Sequence, residues 1–145
     1  MIKTCTFCRI ISGELPASVV LEDEFCVAFL DSRPLFQGHC LLAPRAHYET
    51  LMDLPDSLIR PLFSDAKLLC RAVEESMGAE GTLAAINNKI SQSVPHLHVH
   101  VVPRRRKDGL KGFFWPRYRY ADEGQMREVA ERIGAAARLI RSATE

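Results

Sequence analysis

The first half of the chain alternates short apolar runs with polar breaks, and the second half moves to helical spacing. Phe7–Ser12 predicts a short helical turn that Gly13 ends. Ser18–Leu21 and Cys26–Leu30 are rich in Val and Phe and predict two strands, separated by the polar Glu22, Asp23 and Glu24. Asp31-Ser32-Arg33-Pro34 predicts a turn, and His39–Ala43, set between Gly38 and Pro44, a third strand. From Leu58 the period changes. Leu58, Leu62, Ala66, Leu69, Val73 and Met77 recur at three- and four-residue steps, which puts them on one face of a helix. Pro61 falls near its start, so the first turn is kinked or the helix begins there. Gly78 closes it. Thr82–Asn87 and Leu97–Val102 predict two further strands, and Gly124–Ser142 (Met126, Val129, Ile133, Ala136, Ile140) a second long helix. Together they predict an α+β fold, an antiparallel sheet of about five strands with two main helices.

Length narrows this to one domain over residues 1–145, with a core over 5–105 and a basic and aromatic tail plus a helix over 106–145. With 19 Lys and Arg against 18 Asp and Glu, charge argues for neither nucleic acid nor an acidic membrane as the main partner. Neither a signal-like start nor a run near the ~20 apolar residues of a membrane span is found, so a cytoplasmic protein is expected. The five cysteines fit thiols or a metal site better than disulfides. Cys26, Cys40 and Cys70 lie in apolar runs, as small hydrophobes do.

The chemistry concentrates in Pro95-His96-Leu97-His98-Val99-His100-Val101-Val102. Side chains alternate along a strand, so Leu97, Val99 and Val101 face the core and His96, His98 and His100 share the other face. Three of the chain's five histidines stand there. A single zinc is the main competing use. At about 3.3 Å rise per residue, His96 and His100 are roughly 13 Å apart at Cα, too far for one ion to take all three. At least one imidazole is left for nucleophilic or acid–base work.

His-Leu-His-Val-His-Val-Val resembles the signature of the histidine-triad (HIT) family, a histidine alternating with apolar residues. Phe7-Cys8-Arg9-Ile10-Ile11, Ala28-Phe29-Leu30-Asp31, Gly38-His39, Leu42-Ala43-Pro44-Arg45-Ala46-His47 and Gln92-Ser93-Val94-Pro95 extend the resemblance over residues 5–105. It implies a HIT-like fold and a nucleotide hydrolase or transferase in which His98 attacks the α-phosphorus and forms a nucleotidyl-histidine. The substrates implied are nucleoside phosphoramidates or dinucleoside polyphosphates. His100, Gln92 and Ser93 would contact phosphate, and His39 would lie near it. Asp31 would bond the ribose and Asn88 the sugar or phosphate, although the short Lys89-Ile90-Ser91 connection makes Asn87 an alternative. Phe7, Ile11, Phe29 and Leu30 would hold the base or simply fill the core. A homodimer is also implied.

Cys5-Thr6-Phe7-Cys8 has spacing suited to two thiolates on one tetrahedral zinc. The resemblance supplies His47 and His96 as further ligands of a structural zinc, as in some bacterial members; two buried idle thiols are the alternative. Beyond the triad, Arg104-Arg105-Arg106-Lys107 and the aromatic run Phe113 to Tyr120 fit a solvated face with aromatics packed on the body or a partner, phosphate contacts and stacking on a nucleic acid, or closure over a leaving group. Two other functions stay open: a nucleotide sensor with little activity, and a metal-dependent hydrolase.

Overall fold

The structure is a computed structural model that describes residues 2–110 and 117–144. The chain forms two compact units, Met1–Asp108 and Gly109–Glu145. In the first, α1 (Thr6–Ile11) precedes β1 (Val19–Glu22), β2 (Cys26–Leu30) and β3 (Cys40–Pro44); α2 (Asp56–Met77), β4 (Gly81–Ala85) and β5 (Val99–Arg104) follow. The five strands make one antiparallel sheet in the order β1-β2-β3-β5-β4. The second unit contains α3 (Glu123–Thr144), none of whose residues is buried.

The sheet is covered on both faces at its centre, which explains the unbroken apolar runs of β2 and β3. Cys26, Ala28, Cys40, Leu42, Leu97, Val99 and Val101 pack with Leu62, Ala66, Leu69 and Val73 of α2. The alternate residues Val27, Phe29, Leu41 and Ala43 pack with Cys5, Phe7 and Cys8 at α1. The α2 stripe read from the sequence is therefore the core face of that helix.

Strand ends differ from the sequence reading by one or two residues. β3 extends through Pro44, which pairs with Cys26 at the strand end, where a missing N–H costs least. β4 stops at Ala85 rather than Asn87, and β5 starts at Val99, leaving His96, Leu97 and His98 ahead of the ladder. The facing of that segment still alternates: Leu97 joins the α2-side core, while the His96 and His98 rings contact Phe7. Pro61 neither starts α2 nor ends it; the helix begins at Asp56 and runs past it. Its position in the second turn leaves the rest of the hydrogen-bond ladder intact. No helix among the described residues is long and apolar enough to cross a membrane. Gly112 to Pro116 of the aromatic segment lie outside the described residues.

Candidate active site and metal centre

Register assembles the site on the α1-side face. β3 and β5 pair Leu41 with His100, and β2 and β3 pair Phe29 with Leu41. His39, two residues from Leu41 on the same face, thus reaches His100: His39 Nε2 and His100 Nδ1 are 3.0 Å apart. Asp31 Oδ2 stands 3.7 Å from His39 Nε2. The rings of His98 and His100 have centroids 4.8 Å apart, and Phe7 lies edge-on to His98 at 4.9 Å.

All of these except His39 border an open cleft of about 960 Å³. Its apolar wall includes Phe7, Ile10, Leu15, Pro16, Phe29 and Leu41; its polar rim includes Asp31, Ser32, Arg33 and Ser93, with His98 and His100. An apolar cleft with a few converging polar groups suits a small ligand that has a flat apolar part and a charged part. Leu30 lines the cleft as well, whereas Ile10 takes the position the sequence reading gave to Ile11. The Leu15–Ser18 wall and Arg33 were not anticipated. They lie in turns, where no periodicity marks them.

Hydrogen bonds fix the histidine tautomers, because a carbonyl only accepts. His98 Nδ1–H donates to the carbonyl of His96 at 2.7 Å, which leaves Nε2 of the neutral ring with its lone pair. Burial pushes the His98 pKa down, against the hydrogen bond to His96 and the nearby Asp31 carboxylate, so the ring is neutral at pH 7. Burial likewise holds His100 at about 4, with His98 and His39 adding to the effect.

Asn88 and Gln92 face elsewhere. Asn88 Oδ1 accepts the Leu51 N–H at 3.0 Å; the Gln92 side chain donates to the Glu49 carbonyl at 2.6 Å and accepts the Lys89 N–H at 2.9 Å. They bind the 88–92 loop, in which Lys89 and Ser91 have positive φ, to the segment after β3. Asn87 and Asn88 are both absent from the cleft lining.

Behind the cleft, Cys5, Cys8, His47 and His96 bring one ligand atom each within 4.8 Å of the others. Cys5 Sγ and Cys8 Sγ are 3.4 and 3.7 Å from His96 Nδ1, and Cys8 Sγ is 3.4 Å from His47 Nδ1. Sulfur and nitrogen on one tetrahedral zinc stand about 3.6 Å apart, given the usual bond lengths. The tautomer fits too. His96 Nε2–H donates to the Pro44 carbonyl at 2.8 Å, so Nδ1 offers its lone pair to the ion, with a carbonyl orienting the ligand from behind. Burial holds His96 neutral, at about 4. The donor set and its spacing fit zinc. A second group, Asp31, His39 and His100, lies beside the cleft, and a third, Asp23, Cys26 and Asp65, on the α2 side of the sheet; burial pushes Cys26 up to about 12, which makes it a poor thiolate donor.

The chain is similar to known proteins in sequence and in fold. The HIT domain family model matches residues 12–107. The chain is 36% identical over 108 residues to adenylylsulfatase HINT3 of Arabidopsis thaliana, covering 73% of this chain and 55% of that protein. It is 37% identical over 108 residues to adenosine 5'-monophosphoramidase HNT1 of Saccharomyces cerevisiae, covering 73% of this chain and 66% of that one. Among solved structures, SMU.412c from Streptococcus mutans aligns with a TM-score of 0.84 at 31% identity over 94% of this chain and 87% of its own. A zinc-bound histidine triad family protein from Mycobacterium smegmatis aligns at 0.71 and 34% identity, over 92% and 97%. With its triad, its sheet and this match in agreement, the chain belongs to the HIT family.

Proposed function

We propose that the protein is a nucleotide hydrolase or transferase that works through a covalent intermediate on His98. The observation that carries this reading is the His98 tautomer. Its Nδ1–H is held by the His96 carbonyl, and the neutral ring presents Nε2 as a nucleophile at the cleft. Nε2 attacks the α-phosphorus, and the bond from phosphorus to the leaving group breaks with its electron pair going to that group. Water then attacks the nucleotidyl-histidine, releases nucleoside monophosphate and restores His98. Attack and departure are in line, so the chief task left to the protein is to hold the equatorial oxygens. His100 and Ser93 border the cleft where those oxygens would lie, Asp31 is available to the ribose, and Phe7, Ile10 and Phe29 flank the base.

Relatives named for adenylylsulfate and adenosine phosphoramidate chemistry support nucleotides with a small leaving group. Dinucleoside polyphosphates are the second substrate class. The reading includes a structural zinc on Cys5, Cys8, His47 and His96, whose chemistry is to tie chain segments together, and a homodimer in solution. The competing metal-dependent hydrolase would take Asp31, His39 and His100 as its ligands and predicts turnover that survives in His98→Ala. Steady-state turnover of adenosine 5′-phosphoramidate and diadenosine polyphosphates tests the proposal. His98→Ala should lower kcat by on the order of 1000-fold or more with the melting temperature retained. Nucleotide binding without turnover in the unmodified protein would favour the sensor instead.

A further inference from the structure

Arg33 is the one Lys or Arg among the described residues that line the cleft. Arg9, Arg45, Arg104 and Arg106 each pair with a carboxylate. The Arg33 guanidinium pairs with none among the described residues, although Asp31 is only two residues back. The link between those two runs through the backbone, where Arg33 N–H donates to Asp31 Oδ1 at 2.8 Å. The exposed side chain is thus left on the rim as a cation without a matching anion. The imidazoles nearby add no second cation, since burial holds His100 at about 4 and lowers His98 as well. Position says which part of a nucleotide Arg33 meets. The reacting phosphorus belongs beside His98 and His100, and β5 lies two strands from β2. Strands are about 4.8 Å apart, so the end of β2 stands roughly 10 Å from that point. Asp31 directly follows β2 and is the residue available to the ribose, so Ser32 and Arg33 border the sugar.

A bare ribose makes poor use of this rim. Its hydroxyl hydrogens go to the Asp31 carboxylate, and it offers a guanidinium no negative charge. A phosphate on the 2′- or 3′-oxygen does, and its oxygens match the guanidinium fork. In dinucleotide-binding folds an acidic side chain likewise takes a free ribose hydroxyl, and a nearby arginine accommodates a ribose phosphate. Here both side chains stand on one rim, and the Ser32 hydroxyl adds a neutral donor between them. We infer that Ser32 and Arg33 form a subsite for a phosphate on the ribose, so that the cleft prefers nucleotides phosphorylated at the 2′- or 3′-position. Arg33 is the specificity-determining residue. The step at the α-phosphorus is unchanged, and the ribose phosphate stays on the nucleotide released. The preference among substrates rests on the nucleotide reading above; the binding preference is measured without turnover.

Calorimetric titration of the full-length protein with adenosine 5′-monophosphate, adenosine 3′,5′-bisphosphate and adenosine 2′,5′-bisphosphate reads the subsite directly. One bisphosphate should bind about 10-fold tighter than the monophosphate or better, and which one it is gives the position of the phosphate. The gap should shrink as salt is raised. Arg33→Gln should close the gap with the melting temperature retained, and Arg33→Lys, which keeps the charge without the fork, should keep part of it. Kinetically, 3′-phosphoadenylylsulfate and adenylylsulfate share one leaving group, so the ratio of their kcat/KM values isolates a 3′-phosphate. If the 3′-isomer binds tighter, that ratio should fall in Arg33→Gln by the factor lost in binding. Bisphosphates that bind no tighter than the monophosphate, or not at all, would overturn the subsite. So would an Arg33→Gln protein that loses affinity for all three ligands alike. A bisphosphate preference that Arg33→Gln removes, in a protein that turns over no nucleotide, would uphold the subsite and overturn only the reading beneath it.

Discussion

His100 shows what the fold demands of single residues. Its folded pKa of about 4 lies below the ordinary histidine value of 6.5, so between those values the unfolded chain binds more protons than the native one. Stability from this group is fully present above about pH 6.5 and is lost as pH falls toward 4. Thermal melts should therefore fall steeply from pH 6.5 to 4 and level off above, and His100→Gln should reduce that slope. An unchanged slope in His100→Gln would show that His100 does not drive the loss. At this scale the sequence was informative where chemistry depends on neighbours in the chain. The alternation around His98 put three imidazoles on one face, and the Cys-x-x-Cys spacing marked half of a cluster whose donors suit zinc. The hydrogen-bonded chain from the Leu35 amide through His39 to His100 was not legible, because it depends on pairing Leu41 with His100 across strands far apart in sequence. Nor was the commitment of Asn88 and Gln92 to loop hydrogen bonds, which follows from how the 88–92 loop meets residues 49–51.

Between elements, Gly38 sets the turn before β3 against the end of α2. Its φ is +95°, and a Cβ there would come within 2.8 Å of Met77 Cγ. Gly13 has a similar φ of +80° with nothing within 4 Å. Gly13→Ala should thus cost about 1 kcal/mol from backbone strain alone, and Gly38→Ala about 2–4 kcal/mol because overpacking adds to it. Urea unfolding of the two variants compares the costs; equal losses would show that Met77 moves aside freely. Element type was legible wherever the apolar period was unambiguous, as in β2, α2 and α3. Ends were less so. β5 begins late because the backbone ahead of it is engaged elsewhere: His96 N–H donates to the Val94 carbonyl, Leu97 N–H to the Tyr48 carbonyl, and the His96 carbonyl accepts His98 Nδ1–H.

Across the first unit, the Cys5, Cys8, His47 and His96 cluster ties α1 to the segments after β3 and before β5, directly behind the triad. The central apolar sheet supplies the core, so zinc should add stability without being the whole of it. Purified protein should carry one zinc per chain by elemental analysis. Chelation should lower the melting temperature by roughly 10 °C, and Cys8→Ser should do the same while losing the metal. A full zinc content in Cys8→Ser, or no thermal effect of chelation, would contradict this placement.

The account depends most on His98 as the atom that takes the nucleotide. Intact and peptide mass spectrometry of protein mixed with adenosine 5′-phosphoramidate, and quenched in mild alkali, reads this directly. The account predicts an added adenylyl mass on the unmodified protein, mapped to His98 and absent from His98→Ala. Turnover that persists in His98→Ala, or an adduct mapped to another residue, would contradict it.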